Sequence, residues 1–187
     1  EHSVGTLGIL TEQRRAVANA ILQIQSENAG ISLIEAERRY TRDNLTTRFP
    51  TGIFSNIADS FNYWAFVTEI VPSLKEEILA RDGKMVVRGD SGDPVHIIAG
   101  YRVQEVTVDP AGNDILNWAD AEETLGFDGT YPEVVLFKGE YKQLVWQEVN
   151  GKQCFDLKYI TKAEAIGTIE CLWETFGGTT NELGFRA

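Results

Sequence analysis

Asp156-Leu157-Lys158 sets an acid and a lysine two residues apart, and on a β-strand that spacing turns both side chains to one face. Such a pair can share a divalent metal and a phosphate, the carboxylate holding the ion and the ammonium the anion. Glu140-Tyr141-Lys142 repeats the spacing, but Lys142 falls on an apolar face, where its stem is expected to cover Tyr159. Gly89-Asp90-Ser91-Gly92-Asp93-Pro94 offers a serine between acids in a glycine-rich turn, followed by His96. His96 reads as a strand residue with a satisfied ring nitrogen. The acids Asp109, Asp114, Asp120, Glu122, Glu123 and Asp128 lie in or near loops and lack the ligand spacing of an EF-hand. Cys154 and Cys171, the two cysteines of the chain, match no common metal pattern. Both fall on faces read as near the surface, so they allow one disulfide without requiring it. An intramolecular bridge would imply an oxidising compartment.

The Asp156–Lys158 pair must be positioned by the strands around it, and these can be registered by hand. Asn150-Gly151 is a strong two-residue hairpin turn, because a type I′ turn needs φ > 0 at both central positions. Counting outward from Val149 opposite Lys152 sets Trp146 against Phe155, Leu144 against Leu157 and Lys142 against Tyr159. Gln147–Cys154, Val145–Asp156 and Gln143–Lys158 share the other, wetter face. Thr161-Lys162-Ala163-Glu164 is a capping box, apolar residues recur at helical spacing to Phe176, and Gly177-Gly178 supplies a stop. Upstream, Thr11 is expected to cap a helix with a Val17, Ile21, Ile24 stripe, ending near Asn28-Ala29-Gly30. Ser32-Leu33-Ile34-Glu35 caps a second helix, whose polar side carries Glu35, Arg38, Arg39 and Arg42 as an ion-pair surface. Ser55–Val71 reads as a third helix, and Ser73-Leu74-Lys75-Glu76 caps a short fourth. From Lys84 the period changes to two: Lys84–Arg88 reads as a strand, Val95–Val108 as a longer one bent at Gly100, Ile115–Trp118 as an edge, and Val134–Phe137 as the strand entering the hairpin.

Three resemblances rest on short stretches. Gly89–Pro94 resembles the nucleophile motif of chymotrypsin-like serine proteases over six residues, with Asp93 where that family has glycine; His2 and His96, the two histidines, are not placed to complete a triad. The hairpin, Asp156, Lys158 and the following helix resemble the core of PD-(D/E)xK nucleases. That resemblance implies a metal-dependent nuclease with Asp156 and Lys158 as catalytic residues, Glu133 and Glu77 standing in for the family's further acids. Ile34–Thr51 resembles the end of the long helix of a type IV pilin or pseudopilin head, through Tyr40, Asp43, Asn44, Phe49 and Pro50. The antiparallel sheet and late cysteine pair are similar too.

With helices first, then mostly antiparallel strands and a late helix, the chain belongs to the α+β class. The expected organisation is an extended arm over 1–10, one domain over 11–176 and a flexible tail over 177–187. The balance of 17 basic against 28 acidic residues, −11 overall, argues against unspecific binding to nucleic acid or anionic membrane. No stretch approaches the apolar length of a membrane span. The chain starts at Glu1 and not at Met, which suggests a processed or truncated product. No cofactor fingerprint or zinc pattern is present. The leading expectation is therefore a non-enzymatic structural or assembly subunit of a filament or phage-like particle. Its partners would be copies of itself or other subunits, in an extracellular or virion-associated setting. The aromatic residues Phe61, Trp64 and Phe66 supply its expected interface. The alternatives are the nuclease above, or an extracellular sensor whose pocket uses Trp64, Trp118 or Trp173.

Overall fold

A computed structural model describes residues 4–89, 92–107, 115–117 and 132–178. The chain is α+β, as its pattern implies, but it divides into two compact units where the sequence suggests one domain. The first runs to Gly92 and resumes at Leu172; the second is Asp93–Cys171.

The first unit opens with helix α1 (Val4–Glu27), so the stretch expected to be an extended arm is helical from Val4. Gly5 and Gly8 each cost a helix interior about 1 kcal/mol, too little to stop a helix of 24 residues. Thr11 accordingly lies inside α1 and not at its start. Ile21 of the expected stripe is fully buried. Gly30, at φ 92°, reverses the chain, and Ser32 caps α2 (Leu33–Asp43) by accepting a hydrogen bond from the Glu35 N–H. A π-wound turn, Asn44–Arg48, continues it.

Strand β1 (Thr51–Ile57) pairs in parallel with β2 (Asp82–Arg88), Thr51 opposite Asp82 and Ile57 opposite Arg88. This corrects the reading of Ser55–Val71 as one helix. Ser55–Ile57 are the end of a strand, and the helix starts at Tyr63, where the Asn62 side chain accepts from the Ala65 N–H at 3.0 Å. It proceeds as α3 (Tyr63–Ala65), a π segment (Phe66–Ile70) and α4 (Val71–Ser73), before α5 (Lys75–Ala80) leads into β2. Phe66, Ile70, Val71 and Leu74 from this run join Leu45 and Ala58 in a core, against which Leu172 and Phe176 also pack. Phe66 is fully buried, which corrects its assignment to an interface; Phe61 is exposed and Trp64 half-buried.

The second unit begins with α6 (Pro94–Ala99), where the sequence suggests a strand over Val95–Val108. Asp93 is its N-cap, accepting from the Val95 N–H at 2.8 Å, and Pro94 occupies the first turn, where its missing N–H costs nothing. Among the described residues of that stretch, strand character survives only as β3 (Val103–Glu105). A five-stranded sheet follows in the order β3, β5 (Val134–Phe137), β6 (Glu140–Val149), β7 (Lys152–Ile160) and β4 (Ile115–Asn117). β3 pairs in parallel with β5, and the remaining neighbours are antiparallel. The hairpin register agrees with the sequence reading pair for pair, from Val149 opposite Lys152 to Lys142 opposite Tyr159. Asn150 and Gly151 take φ 53° and 74°, as a type I′ turn demands.

Helix α7 (Lys162–Phe176) starts on its capping box: Glu164 N–H donates to Thr161 Oγ1 at 3.2 Å, and Thr161 N–H donates to Glu164 Oε2 at 2.7 Å. Gly177 N–H closes its end on the Trp173 carbonyl at 2.8 Å. α7 is broken at Gly167, whose φ 78° and ψ 171° are not helical. There the backbones of Gly167 and Gly100 touch: a Cβ on Gly167 would lie 2.2 Å from the Gly100 nitrogen. Tyr101 N–H to Ala165 carbonyl, 2.9 Å, and Thr168 Oγ1 to Ile97 carbonyl, 2.7 Å, stitch the two segments on either side. The sequence expectations for 177–187 fall, from 179 on, outside the described residues.

Candidate functional site

In sheets with parallel strands, ligands settle beyond the carboxyl ends, where the loops diverge and leave a crevice. In the first unit, the carboxyl ends of β1 and β2 open on a cleft of about 380 Å³. β1 contributes Phe54, Ser55, Asn56 and Ile57, β2 contributes Arg88, and α1 and α2 add Gln13, Val17 and Tyr40. Asn56 is buried, and its Nδ2 makes a long 3.3 Å hydrogen bond to the Ile57 carbonyl. The ladder continues one residue beyond β1, Ala58 N–H donating to the Arg88 carbonyl at 3.0 Å. That bond fixes the backbone from which the Arg88 side chain departs. The next residue, Asp59, is buried and paired with Arg14 of α1 at 3.3 Å. The cleft lining thus includes the Arg88 guanidinium, the Gln13 and Asn56 amides and the Ser55 hydroxyl, beside two aromatic rings. A guanidinium offers a planar fork of donors suited to phosphate or carboxylate.

The residues singled out by sequence are held by separate partners. Glu77 receives Arg42 at 2.9 Å, on the first unit. Glu133, on the second, accepts from the Arg102 N–H at 2.9 Å through Oε2 and meets His96 Nε2 at 3.1 Å through Oε1. Burial works to raise the Glu133 carboxyl, but the Arg102 N–H and the His96 ring outweigh it and hold it below the ordinary range. Asp156 and Lys158 are exposed, and Asp156 Oδ1 accepts from the Leu157 N–H at 2.8 Å. Among the described residues, no three His, Cys, Asp or Glu side chains are grouped so as to hold a metal ion. Asp90 and Ser91, the loop acids Asp109, Asp114, Asp120, Glu122, Glu123 and Asp128, and Trp118 lie outside the described residues.

His96 is not a strand residue but stands on α6, stacked on Tyr101 with ring centroids 4.2 Å apart, its Nδ1 3.6 Å from Asp93 Oδ2. Burial, first among several causes, raises the Tyr101 hydroxyl. Lys142 is buried, with its Nζ over the Tyr159 ring, 4.9 Å from the centroid, and 3.4 Å from Glu140. Cys171 is buried, its Sγ directed to the Ala163 carbonyl at 3.9 Å, which corrects its placement near the surface; the Cys154 side chain lies outside the described residues. The ion-pair face of α2 is present, Glu35 taking Arg39 at 3.0 Å and Arg38 at 2.5 Å. The hydrogen bond from Arg39 is the largest influence holding the Glu35 carboxyl low.

No family model matches the chain, and no solved structure matches it. A stretch of 58 residues is 41% identical to a protein of Acinetobacter baylyi named nicotinamide phosphoribosyltransferase. The match covers 28% of this chain and 12% of that relative's length.

Proposed function

We propose that the cleft at the carboxyl ends of β1 and β2 binds a phosphorylated ribose or its nucleotide, as part of a phosphoribosyl-transferring protein. The observation that carries the reading is Arg88. It stands at the last position of a parallel strand, beside the Ser55 hydroxyl and the buried Asn56 amide, in a cleft walled by Tyr40 and Phe54. The division of labour follows from the side chains: the guanidinium takes the phosphate, Ser55 and Asn56 take sugar hydroxyls, and the rings take a flat heterocycle. The name of the 41%-identical relative agrees with this chemistry. A chain of net charge −11 needs such a local cation to hold a phosphate against its own field.

Calorimetric titration with ribose 5-phosphate tests the reading. A charge-assisted hydrogen-bonded contact contributes about 1.5–3 kcal/mol, so Arg88→Ala should weaken binding roughly 10- to 100-fold. Equal affinities in the two proteins, or no binding by either, would sink it.

A second reading, the assembly subunit, is supported by an apolar surface on the first unit. Ile53 is 76% exposed, and Phe49 is exposed while stacking on Phe54 at 5.8 Å. Light scattering across a wide concentration range tests it; a molar mass that stays at one chain throughout speaks against it.

A further inference from the structure

α2 turns inward a face made of Ala36, Glu37 and Thr41, extended by Asn44 and Leu45 of the π turn, all of them buried. Glu37 sits in the middle of that face at 4% exposure, and its Oε1 has no hydrogen-bond partner. One helical turn later the fully buried Thr41 leaves its Oγ1 equally unmatched. A buried carboxyl in this position is tolerable neutral and costly ionised unless a cation faces it. On α1, on α2 with its π turn and on the Phe66–Ile70 segment, the other described charges are occupied or exposed. On α1, Arg14 is held by Asp59, while Glu12, Arg15 and Glu27 are exposed. On α2 and its π turn, Arg38 and Arg39 are held by Glu35, Arg42 by Glu77, and Arg48 by Asp43. Glu69 of the Phe66–Ile70 segment is exposed. Burial, with nothing to oppose it, raises the Glu37 carboxyl to about 7.

The same helix pair walls the cleft, α1 through Gln13, Ala16 and Val17, and α2 through Tyr40, one turn from Glu37. We propose that Glu37 is a proton-operated latch on the cleft: neutral, it lets α1 lie closed on α2; ionised, it draws water in and opens the helix pair. What the latch controls rests on the cleft reading; whether it operates does not.

The direction follows from the raised carboxyl. Between an ordinary value near 4.5 and about 7, the closed pair keeps a proton that the open pair has released. Closure therefore weakens as pH rises through that window and is level above it, over a full span of about 300-fold in the open–closed equilibrium.

Hydrogen exchange of the full chain at pH 5.5 and pH 8, corrected for intrinsic amide rates, reads the latch directly. Amides of α1 and α2 should be roughly 30-fold less protected at the higher pH. Glu37→Gln, which keeps the shape and removes the charge, should show equal protection at both. Carboxyl ¹³C titration of the unmodified chain, with a Glu37 midpoint near 7, supports the latch without a variant. A midpoint below about 5, exchange that ignores pH, or a pH effect that persists in Glu37→Gln overturns it. If exchange behaves as stated while ribose 5-phosphate binds at neither pH, the cleft reading fails and the latch stands.

Discussion

Replacing Gly167 with alanine should be among the most damaging single-methyl changes available in the second unit. Two independent penalties meet there. The backbone at φ 78° and ψ 171° is territory that only glycine occupies freely, and forcing a side chain into it costs on the order of 1–3 kcal/mol. The added Cβ would also sit 2.2 Å from the Gly100 nitrogen and 2.7 Å from the Ala99 carbonyl carbon. Both are backbone atoms, which cannot swing aside as a side chain can. They are held in place by the Tyr101-to-Ala165 and Thr168-to-Ile97 hydrogen bonds. Overpacking of this kind adds about 1–3 kcal/mol. Together the penalties should lower the melting temperature of the unit by at least about 10 °C, taking roughly 4–8 °C per kcal/mol for a domain of this size. Gly139→Ala is the internal control. Gly139 has φ 87° with nothing within 4 Å of an added Cβ, so it carries the conformational penalty without the collision. Scanning calorimetry of the two variants beside the parent separates the contributions. Equal losses for Gly167→Ala and Gly139→Ala would refute the close crossing of α6 and α7 as a constraint.

The Glu133 carboxyl, held low by the Arg102 N–H and His96, stabilises the second unit above the ordinary glutamate range, and that contribution fades as pH falls through its lowered value. Glu133→Gln should therefore reduce the urea midpoint at pH 7, and the gap to the parent should shrink as pH falls through the lowered Glu133 value; a loss of the same size at every pH would point to packing instead of charge. Phe66→Ala should cost about 3–5 kcal/mol, because Phe66 is fully buried beside Leu45 and Ile70, whereas Phe61→Ala, at an exposed position, should cost under about 0.5 kcal/mol. Urea unfolding of both variants reads the difference, and a Phe66 variant as stable as the parent would remove that side chain from the core.

What the sequence made legible is what is decided locally. The Asn150-Gly151 turn, the two-residue alternation on either side of it and the Thr161–Glu164 box each need only a few neighbouring residues to act, so the hairpin register and the start of α7 could be counted out in advance. β1 was hidden for the opposite reason. Ile57, Phe61 and Trp64 fall at helical spacing, while the partner that makes Thr51–Ile57 a strand lies some thirty positions away and pairs in parallel, a contact with no local signature. The helix over Pro94–Ala99 did carry a local sign, an aspartate before a proline, but the β-branched and apolar run beyond it outweighed that sign in a period count. The cleft was invisible because Gln13, Tyr40, Asn56 and Arg88 are ordinary residues contributed by four elements. Its one sequence trace is Arg88-Gly89, an arginine closing a strand just before a glycine-rich turn. Glu37 is the instructive case. Placing Glu35, Arg38, Arg39 and Arg42 on the wet side of α2 leaves Glu37 and Thr41, at 100° per residue, on the dry one, so the helix's own geometry already commits a carboxyl to the interior. A residue type chosen for water yet assigned by periodicity to the core is a local conflict. Such conflicts persist where something other than stability is being served.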